Sequence, residues 1–292
     1  MSVSRTGAQA DPSRVPHDVY PVLRVSTEFF LRGFDLLCRL HDDVISGLVF
    51  TTIWQGQTLA PGRRPVRVRE LSRKLALPYE TVRRHVRLLE VAGYCVVDQG
   101  GLAIPAALQR SRRITSFLRG IHGNAVRVLG DLARIGVTKV LADAQRPLQS
   151  GRLTKQQLAI ATAATGLLLA GMKALQEFFD GDLMKGLVFT AVWTANVKHV
   201  TNSAPAASRT VLEDSQRLPI SILAISQSLR LPYETVRRHV DTLVKEGQCV
   251  RVGRQGVMAP ATVLRDMAAN ATTSYRLVMA FVVEMRAAGV KV

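Results

Sequence analysis

Apolar residues recur at helical spacing through most of the chain. Val82, Val86 and Leu89 stand at i, i+4 and i+7, a stripe that marks an amphipathic helix with one face in a core. Long helices are predicted near residues 21–40 and 160–179, each followed by a second helix that Asp43 or Asp182 can cap and that runs past Trp54 or Trp193. Short helices follow at Val68 to Ala76 and Ile222 to Arg230; Ser221 can cap the second, and Arg67 offers the first no equivalent cap. Leu77-Pro78 and Leu231-Pro232 break the chain, and each proline suits the first position of a further helix. That helix runs to Ala92 or Glu246 and stops at Gly93 or Gly247. Short apolar runs on either side of Asp98-Gln99-Gly100-Gly101 and of Gly253-Arg254-Gln255-Gly256 predict a hairpin each. Long helical sequence follows Pro105 and Pro260, interrupted in the first case around Gly120 to Gly123.

This order occurs twice because the sequence is duplicated. Leu77 to Val86 reads LPYETVRRHV, and so does Leu231 to Val240; GLVFT at Gly47 to Thr51 returns at Gly186 to Thr190. Pro105 matches Pro260, and Gly136-Val137 matches Gly289-Val290. GLVFT repeats at an interval of 139 residues and LPYETVRRHV at 154, so the second copy holds 15 extra residues between Trp193 and Pro219, in a Ser, Ala, Thr and Asn-rich segment that predicts a surface loop. The organisation is a flexible tail (1–19), a first repeat (20–137), a polar linker (138–158) and a second repeat (159–292). Gly47 and Gly186, each followed by LVFT, predict a close helix contact, with contact between the copies as one option.

Short helix, tight turn, basic helix and hairpin together resemble the winged helix-turn-helix superfamily, in the style of MarR-like, IclR-like and GntR-like regulators. The resemblance rests on RELSRKLALPYETVRRHVRLLEVAGY and LAISQSLRLPYETVRRHVDTLVKEGQ, with Ala76-Leu77-Pro78 or Arg230-Leu231-Pro232 where such turns usually carry glycine. It covers about Val66 to Pro105 and Ile220 to Pro260. It implies a mainly α fold with small β-hairpin wings, two tandem modules with extra helices, and sequence-specific binding of double-stranded DNA by a transcriptional regulator acting as an intrachain pseudo-dimer. A plasmid-type replication initiator resembles the same duplicated pattern, and a winged-helix scaffold for protein interactions is the reading from another class.

Charge supports a polyanionic partner. The formal net charge is +17, evenly divided at +9 over residues 1–137 and +8 over residues 138–292. On the helix that begins at Tyr79, Arg84 falls opposite the apolar stripe, Glu80 and Arg87 flank it, and Thr81 and Arg83 lie at the edges. The second copy repeats this with Arg238 at the centre and Glu234, Thr235 and Arg237 around it, but has Asp241 in place of Arg87. Such a face suits the major groove, where arginine binds guanine edges and arginine or threonine holds phosphate. The first copy adds Arg63, Arg64, Arg67, Arg69, Arg73 and Lys74 around its helices, whereas the second carries Arg251 and Arg254 near its hairpin turn. The first module is therefore expected to lean on its helices for phosphate contact and the second on its wing. Tyr79 and Tyr233 can bond phosphate or cover the turn.

Other residues read as structural. Glu80 and Glu234 complement the helix dipole, His85 and His239 pack or bond the backbone beside the stripe, and Cys95 and Cys249 act as small buried hydrophobes. Three cysteines make no disulfide framework or metal spacing, which suits a reducing, cytoplasmic setting; the resemblance to winged helix-turn-helix regulators implies a bacterial protein. The longest uncharged stretch, Gln156 to Met172, falls short of the roughly 20 residues of a membrane span and predicts a buried helix. No catalytic or cofactor motif is present, so no enzyme and no cofactor are expected. The effector ligand and any association into a homo-oligomer are left open.

Overall fold

The structure, a computed structural model, describes residues 19–41, 43–59, 65–98, 100–139, 153–201 and 211–292. The first copy forms α1 (Val19–His41), α2 (Val44–Leu59), α3 (Val68–Leu75), α4 (Tyr79–Val91), β1 (Val96–Asp98), β2 (Gly101–Ala103), α5 (Ala106–Gln109) and α6 (Arg112–Arg134). The second forms α7 (Lys155–Phe178), α8 (Leu183–Thr201), a 3-10 turn at Asp214–Gln216, α9 (Ile222–Leu229), α10 (Tyr233–Lys245), β3 (Val250–Val252), β4 (Gly256–Met258), α11 (Ala261–Asp266) and α12 (Ala268–Ala287). The protein is mainly helical, with two small antiparallel hairpins. Val96 pairs with Ala103 in one and Val250 with Met258 in the other.

The helix starts follow the sequence. Asp43 accepts from the Ser46 amide at 2.8 Å, Asp182 from Lys185 at 2.9 Å, and Ser221 from Ala224 at 3.2 Å, while Arg67 makes no side-chain cap. Pro78 and Pro232 sit one place earlier than expected, as N-caps with ψ 138°, because their carbonyls already accept the first helical bonds from Val82 and Val236. The expected interruption at Gly120 to Gly123 is absent, and α6 runs through it. Gly120 is instead a packing glycine, since a Cβ there would lie 2.5 Å from Leu36 Cδ2 of α1. The break falls at Arg110 and Ser111, where Ser111 caps α6.

Three boundaries also move. Val19, placed in the tail, is buried in α1. Residues 155–158, placed in the linker, are the first turn of α7, begun by a capping box between Thr154 and Gln157. In the expected surface loop, residues 194–201 continue α8, and Arg217 is buried with its guanidinium donating to the Leu212 and Ala259 carbonyls. Residues 202–210, the middle of that segment, lie outside the described residues, as do 1–18 and 140–152.

The two copies share one core. α1 packs on α6 of its own copy and on α8 and α12 of the other; α7 packs on α12 and, in return, on α2 and α6. These reciprocal contacts are those of an approximate two-fold pair within one chain. The apolar helix α7 is, among the described residues, the one candidate long and apolar enough to cross a membrane, and most of it is buried in this shared core. The glycines that meet the other copy are Gly33, against Leu168, Gly166, against Gln55, and Gly171, against Phe30. Gly47 and Gly186 do not: Gly47 meets Leu37 of α1, and Gly186 meets Leu175 and Phe179, each within its own copy.

Gly47 gives a sharp prediction. Alanine in place of glycine ordinarily favours a helix by about 1 kcal/mol. Here the new Cβ would stand 2.9 Å from the Leu37 carbonyl oxygen, which is backbone and has nowhere to go. Gly47→Ala is therefore expected to destabilise the protein, by about 1–3 kcal/mol, in a denaturant melt. Gly186→Ala, which meets side-chain atoms only, should lose less.

Candidate nucleic-acid interface

Each copy presents α3–turn–α4–hairpin, or its equivalent α9–turn–α10–hairpin, on the outside of the shared core. The turn residues Ala76 and Arg230 both adopt φ 54°, the left-handed conformation, which costs a residue with a Cβ roughly 1–2 kcal/mol. Local and distant bonds hold them there. The Ser72 hydroxyl donates to the Leu77 carbonyl and the Ser226 hydroxyl to Leu231, both at 2.7 Å. Gln176 of α7 donates to the Ala76 carbonyl at 2.7 Å, and Asp35 of α1 pairs with the Arg230 guanidinium at 2.7 Å. Each turn is thus docked to the first helix of the other copy.

The hairpins are clamped in a matched way. Val66 and Ile220 bridge to Leu102 and Val257, laying the segment before the short helix alongside the hairpin. Gly101 and Gly256, both at φ 131°, allow this approach, since a Cβ would reach 2.8 Å and 2.1 Å from the carbonyl oxygens of Val66 and Ile220. Gln57 of α2 accepts from the Ile104 amide at 3.0 Å, and Asn196, the matching residue of α8, accepts from Ala259 at 3.0 Å.

On this frame Val82, Val86 and Leu89 are buried, as are Val236, Val240 and Leu243. Arg84 and Arg87 are exposed on α4, with Thr81 and Arg83 half-buried; Arg237 and Arg238 are exposed on α10, with Thr235 half-buried. Tyr79 and Tyr233 are exposed at the two helix starts. Arg67, Arg73 and Tyr79 come together with Arg69 around an open cleft of about 870 Å³ between α3 and the first hairpin. Arg63 and Arg64 lie outside the described residues.

Carboxylates divide the arginines into two groups. Arg83 pairs with Glu80 at 3.3 Å; Arg237 is held by Glu234 at 2.8 Å and Asp241 at 2.9 Å; Arg251 pairs with Asp241 as well. Arg67, Arg73, Arg84, Arg87, Arg238 and Arg254 form no ion pair with a carboxylate among the described residues. Asp241, standing where the first copy has Arg87, draws Arg251 onto α10, which leaves Arg254 as the arginine of the second hairpin turn with no carboxylate partner among the described residues. Glu80 and Glu234 serve these ion pairs as well as the helix dipole.

The histidines differ from expectation. His85 is buried, but it bonds side chains: Nδ1 lies 2.9 Å from the Asp43 carboxylate and 3.0 Å from the Ser46 hydroxyl, and Nε2 lies 3.4 Å from Arg84 Nη2. With Nε2 accepting from the guanidinium, Nδ1–H donates to Asp43, which ties α4 to the start of α2. The second copy has a looser version, His239 at 3.8 Å from Asp182. Burial pushes the Asp43 carboxyl up, but hydrogen bonds from His85 and Ser46 outweigh it and hold the group well below the usual carboxylate range. A depressed carboxyl stabilises the fold above its unfolded value of 3.8 and loses that contribution as pH falls toward the folded value. Asp43→Asn, which keeps a capping oxygen, is expected to melt below the parent at about pH 7 and to converge on it toward about pH 2. A constant gap across thermal melts at those pH values would refute the charged role. Cys95 and Cys249 are buried, which pushes their thiols up to about 11 and about 12, and both are inert packing groups.

Comparison with protein-family models, curated proteins and solved structures finds no match to this chain.

Proposed function

We propose that the protein is a double-stranded DNA-binding transcriptional regulator, with two winged helix-turn-helix modules that place α4 and α10 in successive major grooves and their hairpins beside the flanking backbone. The observation that carries this reading is the duplicated exposed face, with Tyr79, Thr81, Arg84 and Arg87 on one helix and Tyr233, Thr235 and Arg238 on the other, each opposite a buried stripe and each raised on the same core. The cleft lined by Arg67, Arg73 and Tyr79 suits a phosphate run beside the first helix. Arg238 and Arg254 supply the corresponding charge in the second module.

Selection of bound sequences from a random duplex pool tests the proposal. Two related but unequal half-sites are expected, with affinity falling steeply with salt at a slope of about −0.9 per phosphate neutralised. A pool with no enriched sequence, or binding indifferent to salt, refutes it. Arg84→Ala and Arg238→Ala should each weaken the selected site by about 1–3 kcal/mol and leave random duplex little changed. Equal loss on both duplexes reassigns the residue to phosphate contact.

A further inference from the structure

Between α1, α7, α8 and α12 lies a cavity of about 420 Å³, the size of an ordinary small-molecule pocket at roughly 300–1,000 Å³. Phe30, Met172, Phe178 and Trp193 give it apolar walls. Trp193 is 5% exposed, and its buried indole N–H has no hydrogen-bond partner among the described residues. A donor enclosed in this way ordinarily finds an acceptor. The Thr27 and Thr190 hydroxyls, which also line the cavity, donate to carbonyls of their own helices, Arg24 at 2.9 Å and Gly186 at 2.8 Å, and neither lies within hydrogen-bond reach of the indole. The one carboxylate on the wall, Glu177, is exposed at the rim and paired with Lys173 at 3.4 Å.

The first copy provides an internal control. Aligned on Gly136 and Gly289, α6 and α12 match in their buried positions: Ala125 with Val278, Val128 with Phe281, Leu129 with Val282 and Leu132 with Met285. Toward the start of the helices the match ends. Phe117, Leu118 and Ile121, all buried, stand opposite Asn270, Ala271 and Ser274, which line the cavity. On the first helices, Arg32 of α1 stands opposite Gly171 of α7, which also lines it. The second copy is therefore smaller at all four positions, and two of the new side chains are polar. Simple loss of packing leaves an apolar void, which stays dry; this cavity carries polar Asn270 and Ser274 where the first copy has the apolar Phe117 and Ile121.

We infer that the cavity binds a compact, uncharged, predominantly apolar molecule with a carbonyl oxygen that accepts from the Trp193 indole. The site stands on its own, whether or not α4 and α10 bind DNA. Prodan, an uncharged fluorescent naphthyl ketone, tests it by titration, with dimethylaminonaphthalene as the analogue without the ketone. One prodan per chain is expected to bind saturably. Trp193→Phe should weaken prodan by about threefold to tenfold, the equivalent of one hydrogen bond, and leave the analogue unchanged. Ala271→Leu combined with Ser274→Ile, which restores the side chains of the first copy, should abolish binding of both. If that pair fails to melt cooperatively, Asn270→Phe closes the cavity from the same helix and should give the same loss. Saturable binding that survives the filled cavity, uptake of several probes per chain, or no binding to the parent overturns the inference.

Discussion

Phe29→Ala is expected to destabilise the protein by about 3–5 kcal/mol, and to do so for both copies at once. Phe29 is fully buried in α1, stacked edge-on to Phe30, and its carbonyl accepts from Asn124 of α6 at 2.9 Å. Because α1 also packs on α8 and α12, the cavity left by the ring opens into a core that serves both repeats. The chain carries its own reporters: Trp54 in the first copy and Trp193 in the second are its two tryptophans, and both are buried. In Trp54→Phe and Trp193→Phe backgrounds, each remaining indole reports one copy. Urea unfolding should give the same midpoint from both, and Phe29→Ala should lower the two together. A shift confined to the Trp54 signal would mean that the repeats unfold separately and that the shared core is wrong.

Under the proposed DNA-binding function, moving one half-site relative to the other should produce the largest effect on affinity. The Gln176 to Ala76 hydrogen bond and the Asp35 to Arg230 ion pair fix each turn on the opposite copy, so α4 and α10 are held on one frame. Half-site centres about 10 bp apart place both on one face of the duplex. Displacement by about five base pairs should cost about 100-fold to 10,000-fold in affinity, the advantage of simultaneous engagement being lost. Affinities measured across duplexes lengthened one base pair at a time give the profile. A flat one would mean that the modules act independently, and a double Gln176→Ala, Asp35→Ala variant should move the parent toward that flatness.

The local elements were legible because they obey short-range rules. The apolar stripe through Val82, Val86 and Leu89, the caps at Asp43, Asp182 and Ser221, and the glycines after α4 and α10 each depend on neighbours a few residues away. What failed to show was partnership. Gly47 occurs in both copies, so its sequence says that a helix comes close and not which copy supplies it. Gln176 and Asp35 sit on helices with no periodic signal that separates a docking residue from a solvated one. Asp241 drawing Arg251 away from the wing joins a helix to a strand at no regular spacing, and His85 gives no hint in sequence that Asp43 is its partner. The cavity had a signal that pattern reading within one copy cannot reveal: it lies in the comparison of Phe117, Leu118 and Ile121 with Asn270, Ala271 and Ser274.

The interlocking of the repeats also constrains their biosynthesis. The cover that α1 takes from the second copy arrives with α8, about 140 residues after α1 ends, and with α12, about 230 residues after it. At about 5–20 residues per second on the ribosome, α1 waits for a time on the order of tens of seconds. During that wait the nascent first repeat shows water the same apolar surface that a finished second repeat would bury. Two chains emerging side by side on one messenger present that surface to each other, and exchange of halves between them is the misassembly this architecture must outrun.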